Sequence, residues 1–335
     1  MKLRLKHIVR LVFLILPLFA ASCGGGADAP APVEDVAAPE DTPATVAEEA
    51  PSPTPEPEPA PEEPSLPALP AEAQAIEIVM DDGRILEASY YPAAVNPAPI
   101  VVLMHWAGGD IHDWDEIAPW LQNRADEMAG LRRLRSSGAL QGADPWLDPS
   151  WFPTMPADAN FGVLTFNFGD FGNSPPGNIP ESWADEAYAA VKTASELEGV
   201  DPEMIAAIGA SIGADGAVDG CHLFNESGMS GRCIGALSLS PGNYLTQRFS
   251  YAEAVTALDE AEIPVWCLTA QDDIESIVTC ETASGDYYLP ILYPGSNHGM
   301  RLVQPDYLPT APDLGVDTLV ILQDFLEEVF GLELN

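Results

Sequence analysis

The sequence predicts an α/β domain in which a mostly parallel central sheet carries helices on both faces. Residues 100–104 form a continuous apolar run between Pro99 and a nearby pair of glycines, which is typical of a strand buried on both faces. Further apolar runs of strand length alternate with segments of helical spacing. The ~260 residues from 75 to 335 suffice for one such domain with a sizeable core.

Residues 1–22 have the pattern of a signal peptide. Four basic side chains precede an apolar run at residues 11–21, which is too short to span a bilayer as a stable helix. The run ends at Ala20-Ala21-Ser22-Cys23, which resembles a bacterial lipobox, although Ala20 stands where Leu is usual. The resemblance implies that Cys23 is acylated and anchors the protein to the extracytoplasmic face of the cell membrane. Cleavage by an ordinary signal peptidase is the alternative.

Residues 23–74 are predicted to form a disordered stalk. They consist mainly of Pro, Ala, Glu, Asp, Thr and Ser. This composition buries too little apolar surface to offset its ordering entropy, and its prolines favour polyproline II. At up to ~3 Å per residue the stalk would hold the domain ~100 Å or more from the membrane. A proline motif that binds a partner is the alternative.

The domain, residues 75–335, begins with a predicted hairpin and a helix. Two strands, 76–79 and 84–91, are joined by a turn at Asp81-Asp82-Gly83. Residues 113–124 have helical spacing, with an apolar stripe that we interpret as core. Residues 125–159 are longer than a simple connection, and their aromatic residues predict an ordered insert. Either the insert lines or covers a substrate pocket, or its aromatic residues only anchor a long loop.

A strand, a sharp turn and a helix are predicted at residues 205–213. An apolar run leads into Gly209-Ala210-Ser211-Ile212-Gly213, and a helix-permissive stretch follows. This is the pattern of a nucleophile elbow, in which a serine stands clear of the sheet in a strained turn. Small residues two places before and after the serine let strand and helix approach closely. Ser211 is therefore the candidate nucleophile. A glycine-rich turn between packed elements is the alternative.

The remaining segments complete the predicted sheet and its helices. Their hydrophobic patterns predict strands at residues 161–168, 233–239, 263–269 and 288–293, and helices at residues 183–198, 251–260 and 316–330.

Several motifs resemble the α/β-hydrolase superfamily, and the resemblance covers nearly all of residues 75–330. His105-Trp106-Ala107-Gly108-Gly109 follows the strand at 100–104, where the superfamily has a loop that supplies one amide of the oxyanion hole. The resemblance implies Ala107 and Ile212 as the two amide donors, and His105 as a brace of the loop. Trp106 replaces the usual glycine, so the resemblance does not define the backbone path of this loop.

The resemblance also implies a catalytic triad. Ala270-Gln271-Asp272-Asp273-Ile274 follows the strand at 263–269, and it is similar to the superfamily's Gly-x-x-Asp-x-apolar pattern at the triad acid. This alignment selects Asp272, with Asp273 as the alternative acid. Paired aspartates that only cap a helix or occupy a turn are the alternative. His298 follows the last strand, so Ser211, Asp272 and His298 occur in the superfamily's chain order.

The charge balance argues against nucleic acid as a partner. The chain has 52 acidic and 13 basic residues, and Lys192 is the only lysine beyond the signal peptide. Phosphate binding draws on clustered Lys and Arg. The one basic cluster is interpreted as a solvated helix face and consists of Arg132, Arg133 and Arg135.

Four cysteines remain besides Cys23. An exported chain meets an oxidising compartment, so we expect disulfides between sequence neighbours, Cys221 with Cys233 and Cys267 with Cys280. The spacing does not favour a metal site or a redox pair, because the sequence contains no Cys-x-x-Cys.

The compact run from Ser211 to His298, without a large inserted cap, looks most like the dienelactone hydrolase-type carboxylesterases. The resemblance implies a serine hydrolase that cleaves small-molecule carboxylic esters through an acyl-serine intermediate, with no metal or organic cofactor. Thioesterases and acyl peptidases share these motifs. A ligand-binding lipoprotein that keeps the fold without the chemistry is the alternative of another class.

Overall fold

The computed structural model describes residues 72–124, 151–156, 159–177, 182–245, 248–304 and 317–332. The chain divides into two units, Met1–Pro64 and Ser65–Asn335, and every described residue lies in the second. The predicted signal peptide, Cys23, almost all of the stalk and residues 125–150 of the insert lie outside the described residues. No described helix has both the length and the apolar character that a membrane span requires.

Eight strands form one sheet in the order β1, β2, β4, β3, β5, β6, β7, β8. In chain order they are β1 (Gln74–Val79), β2 (Ile85–Tyr91), β3 (Ala98–Met104), β4 (Gly162–Phe166), β5 (Val200–Ala210), β6 (Cys233–Leu239), β7 (Val265–Ala270) and β8 (Tyr288–Tyr293). The strand β2 runs antiparallel to both of its neighbours, and all other pairs are parallel. The prediction of a mostly parallel sheet is confirmed.

The described helices pack on both faces of this sheet. They are α1 (Ile117–Leu121), α2 (Trp183–Glu196), α3 (Ile212–Glu226), α4 (Tyr251–Glu260), α5 (Ile274–Thr282) and α6 (Thr318–Phe330). On one face, Val102 and Met104 of β3 share a buried cluster with residues of α2, α3 and α4. On the other face, Phe325 of α6 lies 5.7 Å from the ring of Trp266 on β7. Both faces of the central strands are therefore apolar.

The predicted helix at 113–124 is shorter in the structure. A 3₁₀ turn, Ile111–Trp114, begins at the cap Asp110, and α1 begins separately at Ile117. A continuous helix would need an N–H at residue 119, which is proline, whereas proline is tolerated in the first turn of a new helix. The predicted apolar stripe is nevertheless core, since its members are completely buried: Trp114, Ile117, Ala118 and Leu121.

The described end of the insert packs against α1. The Trp120 indole N–H donates a hydrogen bond of 2.8 Å to the carbonyl of Pro153, and its ring lies 5.4 Å from the ring of Phe152. Met155 is also buried. These contacts support the interpretation that the aromatic residues at 151–155 anchor this segment. The predicted cover of a substrate pocket would involve residues 125–150, which the structure does not describe.

Two disulfides join helices to neighbouring strands. Cys221 of α3 pairs with Cys233 of β6, and Cys267 of β7 pairs with Cys280 of α5. The predicted pairing of sequence neighbours is confirmed. Cys233 is the first residue of β6, and Cys280 lies in the last turn of α5, so both bonds lie away from the first turns of these helices.

Candidate active site

Ser211 occupies the sharp turn between β5 and α3. It has a φ of 52° and a ψ of −116°, a conformation that is rare for a residue with a side chain. The flanking glycines are sterically required. A Cβ on Gly209 would lie 1.8 Å from the carbonyl oxygen of Gly213, and one on Gly213 would lie 2.3 Å from that of Met104. The small residues therefore have the packing role that the sequence predicted for them.

Ser211, His298 and Asp273 form a hydrogen-bonded chain. Ser211 Oγ lies 2.8 Å from His298 Nε2, and His298 Nδ1 lies 2.7 Å from Asp273 Oδ2. Because a carboxylate only accepts hydrogen bonds, Nδ1 carries the proton toward Asp273 and Nε2 is left to accept from the serine hydroxyl. The imidazole is thereby held in the tautomer that can take up a proton from Ser211.

The prediction that Asp272 is the acid partner of His298 is wrong in this structure, and the alternative, Asp273, holds that place. The side chain of Asp272 is exposed, and its backbone N–H donates to the carbonyl of Gly295. Asp273 immediately precedes α5, and its carboxylate does not accept a capping hydrogen bond from that helix. The alignment with the superfamily pattern selected the acid one residue too early in the chain. Helix α5 starts directly at Ile274, so Asp273 is the last residue before the helix.

The two backbone amides predicted to form the oxyanion hole belong to two segments that contact each other, the start of α3 and the loop after β3. Ile212 is the first residue of α3, so its N–H has no acceptor within the helix. Ala107 lies in the loop after β3, which the elbow contacts through Gly213 and the carbonyl of His105. Within the described ranges, no backbone carbonyl accepts a hydrogen bond from either amide. Both N–H groups are therefore available to a ligand atom.

His105 is a buried structural residue, as the sequence analysis expected. Its Nδ1–H donates to the carbonyl of Trp106 at 2.8 Å, and its Nε2 accepts from the N–H of Phe168 at 3.0 Å. Burial lowers the pKa of His105 to about 4. The ring is therefore neutral, and it links the β3 loop to the segment after β4.

Comparison with known proteins rests on structure alone. No family model and no curated protein sequence matches the chain. An α/β hydrolase from Penicillium sp. sh18 is 12% identical, with 78% of this chain and 100% of that one covered and a TM-score of 0.52. The alignment thus spans the whole length of that protein. The chain has the α/β-hydrolase fold.

Two solved esterases are also similar in fold to this chain. An esterase from Pyrococcus furiosus is 14% identical, covering 78% of this chain and 93% of its own, with a TM-score of 0.49. A thermostable carboxylesterase cloned from a metagenomic library is 18% identical, covering 80% and 92%, with a TM-score of 0.48.

The loop after β3 accommodates Trp106 by packing its indole between two glycines. A Cβ on Gly108 would lie 3.1 Å from the ring, and one on Gly299 would lie 2.8 Å from it. Gly299 has a φ of 58° and directly follows His298. Glycine at residue 299, directly after His298, thus leaves room for the indole of Trp106.

The sequence analysis did not select three residues that lie close to the elbow helix or to Asp273. Asp215 lies in the first turn of α3, Tyr244 follows β6, and Glu275 lies in the first turn of α5. Their positions after parallel strands were a usable signal, because the carboxyl ends of such strands meet at one edge of an α/β sheet. In the part of the chain that the structure describes, no group of His, Cys, Asp and Glu is arranged to hold a metal ion.

Proposed function

We propose that the protein is a serine hydrolase that cleaves carboxylic esters through an acyl-serine intermediate. The observation that carries this proposal is the hydrogen-bonded chain from Ser211 through His298 to Asp273, with contacts of 2.8 and 2.7 Å. A hydroxyl, a base in the correct tautomer and an orienting carboxylate are the groups that this chemistry requires. The elbow supports the proposal further, because its strained turn presents Ser211 at the sheet edge.

Acylation follows from this geometry. Ser211 Oγ attacks the carbonyl carbon of the ester while its proton passes to His298 Nε2. Asp273 holds the imidazole and stabilises its charged form. The carbonyl oxygen gains negative charge, and the amides of Ile212 and Ala107 donate to it. Each such donor is typically worth about 3 kcal/mol of barrier. His298 then protonates the alcohol as it leaves.

Deacylation repeats these steps with water. A water molecule gives its proton to His298 and attacks the acyl carbon, and Ser211 leaves as its oxygen regains the proton. The same two amides hold the second oxyanion. Ser211 supplies the nucleophile, His298 the base and Asp273 the stabilising charge for the whole cycle.

A serine-reactive fluorophosphonate tests the proposal directly. We expect a stoichiometric adduct on Ser211, located by peptide mass spectrometry, and its loss in His298→Ala. Ser211→Ala should abolish ester hydrolysis and leave the fold intact. Ser296→Ala is the matched control, because this serine is exposed two residues before His298. Full hydrolysis by Ser211→Ala would contradict the mechanism. Folded protein that forms no adduct would favour the ligand-binding lipoprotein.

The substrate class is proposed from the resemblance of the motifs to dienelactone hydrolase-type carboxylesterases. A screen should compare short-chain p-nitrophenyl esters, the matching thioesters and a small peptide library. We expect the highest kcat/KM on the esters. A higher value on thioesters or peptides would retain the serine mechanism and reassign the protein as a thioesterase or an acyl peptidase.

We further propose that the hydrolase domain is displayed on the extracytoplasmic face of a bacterial membrane through a lipid on Cys23. The lipobox-like sequence supports this placement, and two disulfides fit an oxidising compartment. Intact mass of the membrane-extracted protein should reveal a diacylglyceryl-modified N-terminus at Cys23. Cys23→Ser should release the protein from the membrane fraction. An unmodified N-terminus at another residue would contradict the anchor.

A further inference from the structure

The loop that carries Ala107 is held at both ends by two consecutive residues. At its start, His105 Nε2 accepts a hydrogen bond of 3.0 Å from the N–H of Phe168. At its far end, the N–H of Ile111 donates to Asn167 Oδ1 at 2.7 Å. Asn167 and Phe168 directly follow β4. One short segment therefore fixes both ends of the loop, and Ala107 lies between them.

Both backbone groups and both polar side-chain atoms of Asn167 are hydrogen-bonded. Its backbone N–H donates to the carbonyl of Glu87 at 2.9 Å, and its carbonyl accepts from the Ser174 hydroxyl at 2.7 Å. Its side-chain NH₂ donates to Glu87 Oε2 at 2.6 Å, while Oδ1 accepts from Ile111. The residue is only 1% exposed. The amide of Asn167 therefore cannot turn without leaving buried polar groups unpaired.

Glu87 of β2 fixes the orientation of this amide. It also accepts from the backbone N–H of Asn173 at 2.8 Å and from the side-chain NH₂ of that residue at 2.6 Å. Burial opposes ionisation of Glu87, but the hydrogen bonds from Asn173 and Asn167 outweigh it and lower its pKa. A carboxylate only accepts hydrogen bonds, so it selects the NH₂ side of Asn167. The oxygen of the amide is thereby left to face Ile111.

The position of the Ala107 amide depends on these anchors. Within the described ranges its N–H has no backbone acceptor of its own, and the loop contains one internal turn, in which the N–H of Gly109 donates to the carbonyl of Trp106 at 3.1 Å. A donor of an oxyanion hole must lie about 3 Å from the developing charge. A displacement of about 1 Å can cost about 100-fold in rate. Loss of one anchor would therefore reach the chemistry through Ala107.

We propose that Asn167 is a positioning residue for the oxyanion hole, and that it holds the Ala107 amide in place through its bond to Ile111. This inference rests on the serine mechanism proposed above. The amide gains most when the carbonyl oxygen becomes charged, and much less when the neutral ester binds. Loss of Asn167 should thus lower kcat and kcat/KM equally and leave KM unchanged.

Steady-state and infrared measurements on Asn167→Ala test this proposal. We expect kcat to fall about 10- to 100-fold, with KM within about twofold of the wild type and an unchanged pH dependence. The acyl-enzyme formed from a slowly hydrolysed ¹³C=O-labelled ester should show its carbonyl band at a higher wavenumber, because one hydrogen bond fewer polarises it. A site that is merely less stable would keep the wild-type band. An unchanged kcat or an unchanged band would overturn the proposal.

Asn160→Ala is the matched control, because Asn160 bridges two loops in the same manner before the other end of β4. Its Oδ1 accepts from the N–H of Ala94 at 2.6 Å, and its NH₂ donates to the carbonyl of Gln122 at 3.0 Å. This variant should lose stability and retain the wild-type kcat and carbonyl band. An equal fall of kcat in Asn160→Ala and Asn167→Ala would assign the effect to stability and contradict the positioning role.

Two double variants isolate the acceptor atom and decide the matter even if Asn167→Ala does not fold. Asn167→Asp/Glu87→Gln exchanges the carboxylate and the amide, so an oxygen still faces Ile111. Its kcat should stay within about threefold of the wild type. Asn167→Leu/Glu87→Gln has a similar volume but no acceptor, and its kcat should fall about 10- to 100-fold. Equal kcat values in the two double variants would overturn the proposal.

Ser211→Ala separates this proposal from the mechanism on which it rests. If Ser211→Ala is inactive while Asn167→Ala equals the wild type, the role of Asn167 is wrong and the serine mechanism stands. If Ser211→Ala remains active, both proposals fall.

Discussion

At the scale of single residues, two adjacent aspartates differ because only one of them faces the imidazole. Asp273 lies where β7 has ended and α5 has not yet begun, with a ψ of 81° that neither element would allow. Its side chain is 12% exposed and contacts His298, whereas Asp272 is exposed to solvent. The difference in role between these chemically identical residues is therefore purely geometric.

Asp273→Asn should abolish most of the activity, and Asp272→Asn should not. The asparagine amide can no longer hold Nδ1–H toward an anion, so the imidazole loses its tautomer and its charge partner. We expect kcat to fall by about 10⁴-fold for Asp273→Asn and to change less than about twofold for Asp272→Asn. Steady-state kinetics on one ester measures both. Equal losses in the two variants would show that the acid is not assigned to Asp273.

At the scale of elements, helix α5 is held to the domain mainly by its disulfide. Only Ser276, Thr279 and Cys280 of this helix are buried, and Ile274 and Val278 are 69% and 56% exposed. Few apolar contacts therefore fix the helix whose first turn follows Asp273. By contrast, α3 buries most of its length, so the disulfide of Cys221 supports a helix that is already well packed.

Removal of the Cys267–Cys280 bond should reduce both stability and activity. The two disulfides close loops of similar length, with separations of 13 and 12 residues. Replacing either pair by alanine should lower the free energy of unfolding by about 3 kcal/mol. Only the Cys267→Ala/Cys280→Ala variant should also lose about 10- to 100-fold in kcat, because its Asp273 is displaced. Urea unfolding and ester kinetics distinguish the variants. A larger kcat loss in Cys221→Ala/Cys233→Ala would contradict this account.

Helix α3 carries two buried carboxyl groups, one turn apart. Burial raises the pKa of Asp215 to about 7, although hydrogen bonds from the 242–245 loop oppose the shift. Burial, with the charge of Asp215, raises the pKa of Asp219 well above its usual range, and one oxygen of Asp219 has no hydrogen-bond partner among the described residues. The folded state therefore binds protons that the unfolded state has released above about pH 4.

Asp219→Asn should reduce the pH dependence of stability. Because a raised carboxyl pKa stabilises the folded state at low pH, this contribution is lost as the pH rises through the folded pKa. We take the free energy of unfolding of the variant minus that of the wild type. This difference should be about 1 to 3 kcal/mol larger at pH 8 than at pH 5. Urea titrations at both pH values measure this. The lowered pKa of His105 makes the free energy of unfolding rise with pH, but this contribution is the same in both proteins. A constant difference between them would contradict the prediction.

At the scale of the whole molecule, the net charge of −39 creates a strong negative potential. Exposed acids such as Asp272 and Glu275 lie next to the candidate site, so this potential extends to its entrance. Long-range fields change the local concentration of charged substrates and are screened by salt.

Cationic esters should react faster than anionic ones at low ionic strength. At 10 mM salt, kcat/KM for an ester with a quaternary ammonium group should exceed that for a carboxylate-bearing analogue by about tenfold or more. A neutral isosteric ester is the control, with an intermediate value. The three values should converge at about 0.5 M salt, where the Debye length falls to a few ångströms. A preference that salt leaves unchanged would locate the selectivity in direct contacts instead.

Much of the fold could be predicted because the signals are local. The apolar run of β3, the capping serine of α4 and the Gly-x-Ser-x-Gly turn each depend on neighbouring residues only. Ser250 and Glu253 form a complete capping box, which explains why α4 begins where the pattern predicts. Helix 113–124 failed because one proline outweighed a correct apolar stripe.

The sequence by itself predicted most strands and helices in their order along the chain, the disulfide partners and the candidates Ser211 and His298, because spacing along the chain specifies these features. Only the tertiary structure decided between Asp272 and Asp273, placed Trp106 against Gly299, and brought the Tyr244 N–H to Asp215. Each of these contacts joins segments that are distant in sequence. Their geometry depends on where strands end and helices begin to within one residue, and no local pattern sets that boundary so finely.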